Sequence, residues 1–206
     1  MHCSLCHVFD KVPHQRLLLK LRAHGIDGVV CNWTEAWLND RWQKVRLEGS
    51  SSSWQQVISG VPQCSVLGPV LFLIFINDLE VGTTSGILKF ADDTKLFRSV
   101  ANQADRISLQ YDLDTVCEWA DRWEMKFNVS KCKVMHYGRK STDIEPTYYM
   151  YGKPIEVVCS EKDLGVIFSN DMKVHCSDSY SKANRMLGMI SRTRPITYRH
   201  PLQVPC

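Results

Sequence analysis

Two adjacent carboxylates, Asp92 and Asp93, close the tetrapeptide Phe90-Ala91-Asp92-Asp93, with Ile87 and Leu88 before it and Leu96 and Phe97 after it. Strand-like runs on both sides of an acidic pair read as a hairpin with the acids at its tip. Like charges held side by side repel, and a cation offsets that cost. Hard oxygen donors suit Mg²⁺, with Mn²⁺ as the alternative; Mg²⁺ keeps several waters and shares phosphate oxygens of a substrate. Phosphoryl transfer by two metal ions is the chemistry that most needs such a site. Taken alone, the dipeptide reads better as a pair of turn residues, because Asp is common in turns. Its neighbours decide between the two.

The elements that must position the acids follow from periodicity. Leu17, Leu18 and Leu21 give the stretch after Pro13 a helical period, and Gly25 stands where a C-cap belongs. A second helix is expected from about Val29 to Leu38, with Trp33 and Trp37 on one face. Trp42 to Leu47 alternates, giving a strand with Lys44 and Arg46 on one side. Glu48 to Ser53 reads as a polar turn, and Trp54 to Ile58 as the partner strand. Gly60 to Gln63 is a breaker-rich loop. Ser65 caps the next helix and Pro69 sits in its first turn. Apolar residues on nearly every side through Ile76 predict that this helix is buried. Leu109, Leu113, Val116, Ala120 and Trp123 mark a long amphipathic helix. Cys132–Tyr137 and Asp163–Phe168 are strand candidates, and a last helix is expected over Lys173–Ile190. Strands mixed with helices around a central hairpin give an α+β sheet with helices on one face.

Composition sets wider bounds. The chain has 206 residues, 44% of them apolar, enough for one domain or one and a half with a sizeable core. Its net charge of +3 is too weak to demonstrate a nucleic-acid partner. Towards the C-terminus Lys173, Lys182, Arg185, Arg192, Arg194 and Arg199 outnumber one acid, Asp178. Such a face can meet phosphates, although a solvated helix face is the commoner explanation. No secretory leader is visible, and the longest apolar run, Val70 to Ile76, is too short to span a bilayer. An intracellular protein of nucleus or cytoplasm, with no membrane association, is expected. Nine cysteines then read as free thiols. Cys3-Ser4-Leu5-Cys6-His7 spells the haem-attachment pattern C-x-x-C-H, but no export signal or second metal-ligand pair accompanies it.

Several ordered blocks surround the acidic pair: Phe9-Asp10-Lys11-Val12-Pro13-His14, Gly60-Val61-Pro62-Gln63-Cys64-Ser65-Val66-Leu67-Gly68-Pro69, Met125-Lys126-Phe127-Asn128, and Lys131-Cys132-Lys133-Val134-Met135. Together they resemble the reverse transcriptase domain of LINE-type (non-LTR), jockey-like retrotransposons, from about Phe9 or Cys3 to about Thr193. The resemblance implies a polymerase palm, an antiparallel sheet with helices on one face, with partial fingers before it and the start of the thumb after it. It implies a palm with residual fingers over 1–140, a palm edge and thumb start over 141–194, and an unrelated tail over 195–206. It also implies an RNA template, a DNA primer and deoxynucleoside triphosphates as partners. Asp92 and Asp93 match two of three metal-binding aspartates, with Asp92 the more direct ligand. Phe9 matches the residue packed under the nucleotide sugar, which excludes a 2′-hydroxyl. Gln63 matches the glutamine that contacts the nucleotide, in a loop shaped by Gly60 and Pro62. Lys131 matches the lysine beside the triphosphate, with Lys133 the neighbouring alternative.

Three departures qualify the expected activity. Aligned without a gap, the third aspartate falls on Ser4, and a neutral hydroxyl is a poor Mg²⁺ ligand. Asp10, at the end of that block, is expected to take a structural or capping role just ahead of the Pro13 helix. Cys64 replaces the usual glycine after Gln63 and is strained if the backbone there needs positive φ. The resemblance also implies that most of the fingers are missing. The expected protein is a truncated, impaired RNA-directed DNA polymerase; the alternatives are a non-catalytic nucleic-acid-binding remnant and a relict without activity.

Overall fold

A computed structural model describes residues 1–5, 8–138, 147–171 and 180–187. In chain order the elements are β1 (His2–Ser4), α1 (Val8–Lys11), α2 (His14–Ala23), α3 (Gly28–Leu38), β2 (Trp42–Gln43), β3 (Arg46–Leu47), β4 (Ser50–Ser51) and β5 (Gln55–Gln56). There follow α4 (Leu67–Phe75), β6 (Gly86–Phe90), β7 (Asp93–Phe97), α5 (Gln103–Arg122), β8 (Lys133–Val134) and β9 (Tyr149–Met150). The last are β10 (Lys153–Pro154), β11 (Glu156–Val157), β12 (Ser160–Asp163) and β13 (Val166–Ser169). Two compact units result. One comprises Met1–Val134 with Thr142–Val157, the other Met135–Ser141 with Val158–Cys206. In the second unit the described elements are the β12–β13 hairpin and exposed helical residues 180–187.

The first unit is built on a five-stranded sheet of order β11-β8-β1-β7-β6. Its pairs are antiparallel except β11 with β8, which run parallel. The expected purely antiparallel sheet is thus a mixed one, because the chain crosses over between β8 and β11 before pairing. Leu17, Leu18 and Leu21 of α2, Leu71, Phe72 and Phe75 of α4, and Leu109, Leu113, Val116 and Ala120 of α5 form the core with Cys3, Leu5 and Leu96 of the sheet.

Local chemistry accounts for the helix ends. After α2, Gly25 takes φ 76°, its N–H bonds the Arg22 carbonyl (3.0 Å), and the Ile26 N–H bonds the Leu21 carbonyl (2.9 Å). This is the double closure of a Schellman motif. α5 opens with a capping box between Asn102 and Asp105. Asp10 does not cap α2: Pro13 holds the N-cap position without a side-chain bond, and the Asp10 carboxylate is engaged elsewhere.

Five further expectations are corrected. The strand over Trp42–Leu47 is interrupted: β2 pairs with β5, and β3 with β4. The polar turn shrinks to Glu48-Gly49, with φ of 47° and 86°, the two positive values of a type I′ hairpin turn. Asp163–Phe168 is likewise a hairpin, broken at Leu164-Gly165 with φ of 46° and 83°. Within Cys132–Tyr137 only β8 is strand. α4 buries Leu71, Phe72 and Phe75 but leaves Val70 and Leu73 about half exposed, at 46% and 54%. The last predicted helix is described only over 180–187, and Cys6, His7 and the 195–206 tail lie outside the described residues.

Two buried polar groups tie helices to the frame. Lys20 of α2 pairs with Asp78 and lies over the rings of Phe75, Trp119 and Trp123, the last at 3.9 Å. Burial lowers the Lys20 pKa, and Asp78 opposes that effect. Asp112 of α5 is fully buried and accepts from the N–H groups of Thr84 (2.9 Å) and Ser85 (2.8 Å) and from both hydroxyls, with Arg98 3.6 Å away. Burial would raise its pKa, but the Ser85 hydroxyl and the Thr84 N–H outweigh it and hold the carboxyl below its ordinary range. The stabilisation this provides is present above the unfolded pKa near 4 and is lost as pH falls through the lower folded value. Asp112→Ala should cost about 3–5 kcal/mol at neutral pH, because Arg98 and two N–H groups lose their partner. In urea titrations the gap between wild type and variant should shrink below about pH 4.

Candidate active site

The acidic pair sits where a hairpin turns. β6 and β7 are paired from Gly86↔Phe97 to Phe90↔Asp93, leaving Ala91 and Asp92 as the two turn residues. Ala91 takes φ 51°, the positive angle that the first position of a tight hairpin turn requires. Ile87 and Leu96, opposed in the ladder, face the core, while Phe90 on the other face is 62% exposed. Asp92 and Asp93 are half-buried. The turn is anchored from outside: the Leu5 N–H donates to the Asp92 carbonyl at 3.1 Å. β1 continues this pairing, with Cys3 opposite Thr94 and Ser4 opposite Asp93. The residue on which the third aspartate was expected thus lies across the ladder from the pair.

A second group of predicted residues meets in a cleft of about 530 Å³ lined by Phe9, Arg41, Gly60, Pro62 and Gln63, among others. Two distant segments are laced together to form it. The Val61 N–H donates to the Phe9 carbonyl (2.6 Å), the Gly60 N–H to the Val12 carbonyl (2.9 Å), and the Ser59 hydroxyl to the Asp10 carbonyl (2.9 Å). His14 Nε2, buried, donates to the Gly60 carbonyl at 2.8 Å. Gly60 has φ 88°, and a Cβ there would stand 2.7 Å from the Asp10 backbone, so no other residue fits. Gly68 meets the same limit in the first turn of α4, where a Cβ would lie 2.3 Å from the Pro62 carbonyl oxygen. Ser65 bridges the two, donating to the Pro62 carbonyl (2.8 Å) and accepting from the Gly68 N–H (3.0 Å), one residue ahead of Val66, which holds the N-cap position of α4.

Phe9 is half-buried with its ring on Phe72, centroids 4.9 Å apart. Gln63 is exposed and its Nε2 donates to Asp10 Oδ1 at 2.9 Å. Lys131 is exposed at the end of a 3₁₀ turn, Val129–Lys131, which packs against β1. The alternative, Lys133, is ion-paired with Glu156. Sequence alone did not point to Asp10 and Arg41 in the lining or to His14 against Gly60; only the closeness of Asp10 and His14 to Phe9 hinted at the first and last.

Among the described residues six cysteines are free, as expected for thiols. Cys3 and Cys117 are poor nucleophiles. The hydrogen bond with Cys132 and burial raise the Cys3 thiol well above its usual pKa, and burial with the nearby Asp114 pushes Cys117 up to about 12. No group of three or more His, Cys, Asp or Glu gathers at metal-binding range among the described residues, and no helix there is long and apolar enough to cross a membrane.

The profile of the family described as reverse transcriptase (RNA-dependent DNA polymerase) matches residues 5–190. The chain belongs to the reverse transcriptase family. It is 30% identical over 167 residues, 77% of its length, to the RNA-directed DNA polymerase from mobile element jockey of Drosophila melanogaster. It is 29% identical over 165 residues to the probable RNA-directed DNA polymerase from transposon X-element of the same fly. A third relative, 28% identical over 183 residues, is the Pol polyprotein from the type-1 retrotransposable element R2 of Popillia japonica. The aligned part covers 18% of the jockey and X-element proteins and 29% of the R2 protein. The mixed helix and strand content fits a reverse transcriptase domain.

Cys64 carries the strain expected of it, with φ 57°. The left-handed conformation costs a non-glycine residue about 1–2 kcal/mol, and glycine returns part of this as unfolded-state entropy. Cys64→Gly should therefore raise stability by about 0.5–1 kcal/mol. Gly60→Ala should do the opposite by several-fold more, and thermal unfolding of both variants checks the pair.

Proposed function

We propose that this chain carries the nucleotidyl-transfer core of an RNA-directed DNA polymerase, with an acidic site weakened by the loss of one carboxylate. The observation that carries the reading is the register of β1 against the Phe90–Asp93 hairpin, with Ser4 opposite Asp93. In this reading the first unit is a polymerase palm with residual fingers, and thumb-like residues follow it.

The donor set fits a divalent metal in part. Two neighbouring carboxylates at a hairpin turn are hard oxygen ligands, and Mg²⁺ is commonly held by one or two carboxylates together with substrate phosphates. Asp92 would be the direct ligand and Asp93 its support. Once bound, such an ion lowers the pKa of a primer hydroxyl and neutralises charge on the triphosphate. The protein's own part is positioning. Phe9, backed by Phe72, supports the sugar of the incoming nucleotide and leaves no room for a 2′-hydroxyl. Gln63 meets the nucleotide through the loop that Gly60 and Pro62 shape, and Asp10 fixes its amide. Lys131 offers charge, or a proton, to departing pyrophosphate. The substrates in this reading are an RNA template, a DNA primer and deoxynucleoside triphosphates.

Primer extension on an RNA template with Mg²⁺ tests it. The unmodified chain should incorporate little or no nucleotide; robust incorporation abolished by Asp92→Asn would show that Ser4 does not impair the site. Ser4→Asp should tighten Mg²⁺ or Mn²⁺ binding. An added unit charge near a cation is worth roughly 1–4 kcal/mol between water and a protein surface, so the gain should be about tenfold or more. It should vanish when Asp92 is also removed. Equal metal affinity in wild type and Ser4→Asp would sink the assignment of the acidic site.

A further inference from the structure

The cleft that holds Phe9 and Gln63 has one arginine in its lining. Arg41 lines it, and its Nη1 is buried without a hydrogen-bond partner among the described residues. A buried donor left unpaired is costly, and such groups in native proteins call for an explanation. The carboxylate in the same lining, Asp10, is bonded to Gln63 and makes no ion pair with Arg41. The position of Arg41 is not accidental. Asp40, just after α3, takes φ 52°, a conformation that disfavours side chains and turns the chain immediately before Arg41. The Arg41 carbonyl then accepts from the Val57 N–H at 2.8 Å, which locks the residue beside the β2–β5 ladder. The other basic residues of this region are differently placed. Lys44 lies 4.7 Å over the Trp54 ring, and Arg46 is exposed in β3.

We propose that Arg41 is the anion-binding group of this cleft and that the anion is the triphosphate of a nucleotide. The proposal rests on the polymerase reading and adds to it a contact from the segment between α3 and the loop of Gly60. A guanidinium is a rigid, permanently charged fork that matches two phosphate oxygens. The cleft, at about 530 Å³, falls in the size range of small-molecule sites. Its lining joins one aromatic ring, the amides of Gln43, Gln56 and Gln63, and this one arginine, which suits a molecule with a flat polar part and an anionic part. A polynucleotide backbone offers the same phosphate chemistry, so the test must separate the two sources.

The test is equilibrium binding to the full chain, without turnover. The probes are a non-transferable deoxynucleoside triphosphate with an α,β-imido bridge, inorganic tripolyphosphate, and a short single-stranded RNA. Arg41→Gln should weaken binding of the nucleotide analogue by about tenfold or more, the loss of one charge-assisted hydrogen bond. Tripolyphosphate should compete with the analogue on wild type and lose that ability on the variant, while RNA affinity stays within about twofold, as loss of a single non-backbone contact would allow. Arg41→Lys keeps the charge but not the fork, so it should bind with intermediate affinity; it remains the readout if circular dichroism shows that Arg41→Gln unfolds. Unchanged nucleotide affinity in a folded variant overturns the proposal. So does a wild-type chain that binds no analogue, or a variant that loses RNA and keeps nucleotide. If Arg41-dependent nucleotide binding is found, but Ser4→Asp never extends a primer, the cleft assignment stands and the polymerase reading falls.

Discussion

Gly60 lies against the backbone of Asp10, and the rest of the site depends on that contact. A side chain of even one carbon would meet main-chain atoms at 2.7 Å, and main chain cannot swing aside as a long side chain can. The close approach lets three hydrogen bonds to main-chain carbonyls and the His14 ring hold residues 9–14 against residues 59–61. Phe9 and Gln63 then share one cleft although more than half a hundred positions separate them. The same loop launches α4, since Pro62 bonds Ser65, and Ser65 bonds Gly68. Pushing Gly60 away would loosen the cleft and the entry to a core helix together.

The acidic hairpin is held at both ends by different kinds of interaction. At its base, Asp112 of α5 gathers the N–H and hydroxyl groups of Thr84 and Ser85, the two residues before β6. At its tip, Leu5 bonds Asp92 and β1 continues the ladder. A buried carboxylate is weak evidence for net stability, but breaking it leaves several donors stranded. Its contribution is to fix where the hairpin starts. Lys20 does similar service between α2, α4 and α5, with a carboxylate on one side and three aromatic rings around it. Ring faces carry negative potential, so the ammonium is partly solvated by carbon.

The parts of this fold that can be read from sequence are those with a strong local signal. The α2 stripe ending in Gly25, the Trp33 and Trp37 pair (now seen stacked 6.0 Å apart) and the apolar stripe of α5 all depend on residues close in the chain. The hairpin around Asp92 was legible because its apolar runs are symmetric about the acids. The ribbons were not, because their turns are Glu48-Gly49, Tyr151-Gly152 and Leu164-Gly165, where glycine supplies only one of two left-handed positions and the other residue gives no warning. α4 misled in a different way: its composition is apolar all round, yet only the side carrying Leu71, Phe72 and Phe75 meets the core. The parallel pairing of β11 with β8 and the cleft position of Arg41 come from tertiary arrangement, and no short-range pattern encodes either. The ordered blocks supplied Phe9, Gly60, Pro62 and Gln63, which share one cleft; the bonds Asp10–Gln63 and His14–Gly60 were not legible, because each joins two blocks.

The place of β1 in the sheet has a consequence for the order of events on the ribosome. It is the middle strand, flanked by β7 and β8, which are encoded long after it. When β1 leaves the exit tunnel neither neighbour exists, so its ladder groups have only water or a chaperone as partners. At elongation rates of about 5–20 residues per second, the wait until β8 emerges is on the order of ten seconds. A sheet closed by contacts so distant in the chain has high contact order and folds slowly relative to its helices. The helices α2 and α4 can pair during that interval, β1 can join β7 once Phe97 has emerged, and the β8–β11 edge should close the sheet last.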